Sequence, residues 1–277
     1  MKRSSLLVIV ALVLAPAVYA THAWSDYHWA RTSNPFDLIL VNSTTADWDS
    51  YVPPAALEWS ASTVSTIPTV LHFDVHTGDT SSKTRRQCRP TDGQVRICNL
   101  TYGATGWLGV AGIYTDANDH IVKAYTKLND TYFATDYYND PIWKQAVACQ
   151  ELGHDLGLDH QDEDFNNTPI DTCMDYRDPP YRYPNDHDFE ELAIIYGHTD
   201  SYDSYDSGAP APSGGGGGNS CNAPPGKGCN KGEDIGGSPG NSDWGKSLGR
   251  HGQTEVFELV NPDGSRIITF VTWARGH

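Results

Sequence analysis

"QELGHDLGLDH", residues 150–160, is the stretch on which the reading of this chain turns. It closes the longer run "DPIWKQAVACQELGHDLG", in which Asp140 can cap a helix and Pro141 fits its first turn. On such a helix Gln150 and His154 share one face, so both can reach one ion. Glu151 is the neighbour placed to reach a water on that ion. Gly157 tolerates positive φ and lets the chain turn sharply, which brings His160 back to the helix. Three protein ligands and one water make the open arrangement of catalytic zinc. A carboxylate beside it can take that water's proton as the water attacks a carbonyl.

The 277 residues allow one large domain, or a domain with an appendage. The chain opens Met1-Lys2-Arg3, runs apolar from Leu6 to Leu14 and reaches small residues at Val18-Tyr19-Ala20. That pattern reads as a secretory signal over residues 1–20, cut after Ala20. Its apolar run is too short to span ~30 Å of hydrocarbon. A secreted, extracellular protein is therefore expected, with no membrane contact once the signal is removed. With 35 acidic against 19 basic residues and a net charge of -16, nucleic acid is not an expected partner. A monomer acting on protein or peptide is expected.

Six cysteines in an exported chain point to disulfides. They group as Cys88 with Cys98, Cys149 with Cys173, and Cys221 with Cys229. A Cys149–Cys173 bridge would tie the helix to the segment around Met174, worth on the order of 3 kcal/mol through loop closure. Two buried free thiols are the alternative. Neither is expected to ligate metal, because adjacent side chains on a helix point apart.

The composition changes sharply near Asp200. Residues 200–242 are rich in Gly, Ser and Pro around the run Gly214 to Gly218, which reads as a flexible linker. Beyond it, in residues 243–277, "TEVFELVNPDGSRIITFVTWA" alternates on both sides of Asn261-Pro262-Asp263-Gly264, a hairpin signal. Two strands alone are marginal in water, so this tail should pack on the main domain. In residues 21–199, "FDLILVNS", "TVLHFDVH", "GQVRICNLTYG", "GWLGVAGIYTD" and "HIVKAYTKLN" read as strands. "ADWDSYVPPAALEWSAS" and "PNDHDFEELAIIYGH" read as helices. The expected class is α+β: one twisted sheet backed by helices, then the motif helix and a terminal helix, with an appended β-hairpin.

From Phe36 to His198 the chain resembles the metzincin superfamily of zinc endopeptidases, most nearly its matrixin-like secreted branch. The resemblance rests on "QELGHDLGLDH", on "CMDY" as a Met-turn, and on the strands before the helix. It implies that His154 and His160 ligate zinc, that Glu151 is the general base and that Met174 forms an apolar floor under the metal. It also implies a metzincin-like twisted mixed sheet with helices over a small C-terminal subdomain, and a substrate bound extended along an edge strand, for which "GWLGVAGIYTD" is the candidate. In the astacin and serralysin branches a tyrosine at the place of Tyr176 approaches the metal and stabilises the oxyanion. Two departures stand out. Gln150 replaces the first histidine of the family motif, and between Ala20 and Phe36 there is no cysteine-bearing inhibitory segment.

Several readings stay open on the residues alone. Gln Oε1 reaches about as far as His Nε2 but is a poorer zinc donor, so the site is either weakened or decayed. Another histidine, His187 or His198, could replace Gln150 as a ligand. Met174 could simply fill the core, and Tyr176 could simply pack on the turn. Asp159, Asp162, Glu163, Asp164 and Asp171 could bind structural Ca2+, although they lack regular ligand spacing and a solvated loop fits them too. The expected function is a secreted zinc endopeptidase. The competing reading is a non-catalytic peptide-binding module.

Overall fold

The computed structural model describes residues 21–164, 166–205 and 244–277. The expected leader, linker residues 206–242, and Cys221 with Cys229 lie outside the described residues. The fold is of the α+β class, a large mixed sheet with few helices.

Its first half is parallel. Strand β2 (Phe36–Ser43) pairs with β3 (Leu71–Thr77) on one side and with β4 (Val95–Leu100) on the other. Next to β4 lies β6 (His120–Asn129), again parallel. Strands buried on both faces read as continuous apolar runs, and Phe36, Leu38 and Leu40 of β2 are accordingly buried. A two-residue strand β1 (His28–Trp29) pairs with His120 and Ile121, ahead of the β4 ladder that begins at Ala124.

The second half is antiparallel. Strand β5 (Trp107–Thr115) leads into β6 through the tight turn expected at Asp116 to Asp119, and the two pair antiparallel. The tail then adds β9 (Arg266–Trp273), β8 (Thr254–Val260) and β7 (Lys246–His251), in that spatial order. Two expectations change here. The tail is a three-stranded meander rather than a hairpin. "KSLGRH" shows no apolar alternation because it is a largely exposed edge strand, with backbone pairing and no buried face to mark it. And β5 is not an edge: β9 pairs with it along its length, from Trp107↔Trp273 to Thr115↔Arg266. Alternation along β9 explains the docking. Phe270 and Ile268 join the main core, whereas Val271 and Trp273 pack with Trp107 and Trp244 on the other face.

Helix α1 (Val52–Ser60) carries Pro in its first turn and buries Ala55, Ala56 and Trp59, and the short helices α2 (Ser82–Gln87) and α3 (Asp130–Phe133) follow β3 and β6. The Trp59 indole N–H donates to the Cys149 carbonyl at 2.9 Å, which fixes α1 against helix α4 (Pro141–His154). The Asp140 carboxylate accepts from the Ile142 N–H, as a cap should. Helix α5 (Asp186–Ile195) starts with a capping box between Asn185 and Asp188. Beyond α5 the chain stays tied down as far as Tyr205. There the Ser204 hydroxyl donates to the Ile121 carbonyl, and the Tyr205 ring lies against Phe36.

Candidate metal centre

The last turns of α4 pack against β5, and the Glu151 side chain points into the space between them. Gly109 of β5 makes this possible: a Cβ there would sit 2.3 Å from Glu151 Oε1 and 2.8 Å from Val147. Gly157 follows at φ +94°, the positive region that the sharp turn requires. His160 returns to the helix, its ring 4.6 Å from that of His154, and its Nε2 lies 2.5 Å from the Gln150 amide. The three expected ligands therefore meet at one place.

The donor set fits a zinc ion. His154 Nδ1 contacts the Leu158 carbonyl at 2.8 Å, and since a carbonyl only accepts, the proton sits on Nδ1. His154 Nε2 thus presents a lone pair, fully buried and without a hydrogen-bond partner. Burial pushes the pKa of His154 down to about 3, which keeps the imidazole neutral. Neither Glu151 oxygen makes a hydrogen bond of good geometry. Desolvation raises this carboxyl to about 8, against the opposing effects of the Thr272 hydroxyl, of His160 and of the Ala111 N–H. For His160, burial works downward, but the Asp159 and Glu163 carboxylates, each 3.5 Å from Nδ1, outweigh it and raise the pKa to about 8.

The surrounding residues also converge. Cys149–Cys173 and Cys88–Cys98 are both disulfides. Met174 is buried under α4, where its sulfur lies 2.7 Å from the place a Cβ on Gly153 would take. The Tyr176 ring lies 4.6 Å from His160, and burial raises its hydroxyl well above the ordinary range. The alternative ligands lie elsewhere: His187 stacks on His22, and His198 contacts His28. The acidic residues are spread over separate partners: Asp159 and Glu163 flank His160 Nδ1, Asp162 binds Asn167, Asp164 binds Asn166, and Asp171 pairs with Arg177.

What the sequence did not reveal is that the tail covers this place. The Phe270 ring stacks on His154 with centroids 4.4 Å apart and planes within 2°. The Thr254 hydroxyl stands 3.4 Å from His160 Nε2, and Thr272 faces Glu151. Gly252, in the β7–β8 turn, lies against the Tyr176 ring. A cavity of about 30 Å³, bounded by Gln150, Tyr176, Gln253 and Thr272, remains between tail and helix. It has room for roughly one water. No sequence signal could have identified Thr254, Phe270 or Thr272, because their spacing to α4 exists only after folding. Comparison of the chain with protein-family models and with curated proteins found no match to either.

Proposed function

We propose that this chain is a secreted zinc-dependent endopeptidase held latent by its own C-terminal meander. The observation that carries the reading is the convergence of Gln150, His154 and His160 beside a buried carboxylate, Glu151. Zinc held by those three residues would supply a Lewis acid that makes water nucleophilic near neutral pH. Glu151 would take the water's proton and later deliver it to the leaving amine. The Tyr176 hydroxyl would donate to the developing oxyanion. Gln150 makes the first donor weaker than an imidazole but adds no charge, so the role of Glu151 is unaffected. An extended substrate would add as a strand to β5, and β9 occupies that ladder in the latent form.

The test is hydrolysis of a generic unfolded protein, before and after release of the tail at a cleavage site engineered into residues 206–243. Activity should appear only after release, and Glu151→Gln should abolish it while zinc stays bound. A released chain that holds zinc and does not cut would favour the peptide-binding reading instead.

A further inference from the structure

At the start of β6, β1 and the segment after α5 bring a second group of donors together. We propose that His28, His198 and Asp200 form a site for a divalent transition-metal ion of the zinc type, distinct from the centre on α4. His28 Nε2 lies 3.2 Å from His198 Nε2 and 3.6 Å from Asp200 Oδ2, and His198 Nε2 lies 3.7 Å from Asp200 Oδ1. Zinc–ligand bonds of about 2.0–2.2 Å in a tetrahedron put neighbouring donors about 3.3–3.6 Å apart. The measured separations bracket that range without any movement of the backbone. His120 Nε2, 3.6 Å from Asp200 Oδ1, is available as a fourth donor.

The surroundings orient these donors as supporting groups orient metal ligands. His28 Nδ1 lies 2.6 Å from the Asp26 carbonyl, so Nδ1 carries the proton and Nε2 turns a lone pair toward the cluster. The Arg31 side chain and backbone N–H both hold Asp200 Oδ2 at 3.0 Å, which fixes the carboxylate with Oδ1 toward His198 and His120. Tyr202 and Asp116 hold His120 Nδ1, at 2.8 and 3.3 Å. Imidazole with carboxylate suits zinc, cobalt, nickel or copper, whereas calcium and magnesium take oxygen ligands. An entry path exists, since the His198 side chain is 55 % exposed and a groove of about 620 Å³ runs past His28, His198 and Glu191. An ion here would clip β1 to the end of the domain, joining residues 170 apart in sequence.

The experiment is a zinc titration of the metal-free full-length chain against a chromophoric chelator, with thermal unfolding in parallel. His198→Ala, an exposed truncation, should weaken one class of zinc site at least tenfold and leave the other unchanged. In His154→Ala/His160→Ala one zinc should remain and raise Tm, and adding His198→Ala should remove both effects. Zinc binding unchanged in His198→Ala would overturn the site. So would the absence of any bound zinc in a folded His154→Ala/His160→Ala chain. Loss of the α4 centre alone would remove a different ion, so the two readings fail separately.

Discussion

Phe270 lies flat against His154, ring on ring at 4.4 Å, although this residue of a tail strand and the last residue of α4 are 116 positions apart in sequence. The same strand fills the ladder of β5 opposite Ala111. One segment therefore covers the candidate ligands and the strand along which substrate would lie.

Phe270→Ala should loosen this cover. Truncating a buried Phe costs about 3–5 kcal/mol, and here the loss falls on the contact between meander and α4. Proteolysis of an unfolded protein substrate should rise at least tenfold at a temperature where circular dichroism shows the domain still folded. Unchanged activity under those conditions would argue against the meander as the device of latency.

Gln150 should show itself in metal affinity. Gln150→His restores an imidazole and should tighten zinc binding at the α4 centre. Gln150→Ala should lose tenfold or more, the equivalent of over ~1.4 kcal/mol. Chelator competition on the three proteins, in a His198→Ala background so that only this centre is counted, decides the matter. Equal affinity for Ala and Gln would place the amide outside the ligand set.

Gly109→Ala should disturb Glu151 in particular. The new methyl would lie 2.3 Å from its Oε1, and the β6 ladder holds the backbone of β5 with or without the tail. The carboxylate must move, so activity of the tail-released chain should fall at least tenfold while zinc content is retained. Near-normal activity would show that Glu151 has more freedom than this packing allows.

The Cys149–Cys173 bridge joins residues 24 apart in sequence and closes a loop that contains His160. Cys149→Ala/Cys173→Ala should lower stability by roughly 3 kcal/mol through the freed loop, read as a lower midpoint in denaturant. Zinc affinity at the α4 centre should fall with it, because His160 then samples more conformations. A lower midpoint with unchanged affinity would confine the bridge to a role in folding.

The local elements and the spacing on α4 are legible in the residues themselves. Apolar runs such as "FDLILVNS" mark buried strands, Asp140 and Pro141 mark a helix start, and Gly157 marks the turn that returns His160. These are short-range consequences of backbone geometry and burial, which neighbouring residues encode. Tertiary structure alone decided what lies opposite them. That β9 pairs with β5, that Phe270 covers His154, and that His28 meets His198 and Asp200 all depend on ladders and packing between distant segments. Side-chain period constrains which face of a strand is buried, but not which partner buries it. "GWLGVAGIYTD" therefore reads equally well as an edge or as an interior strand, and only the docked tail settles which it is.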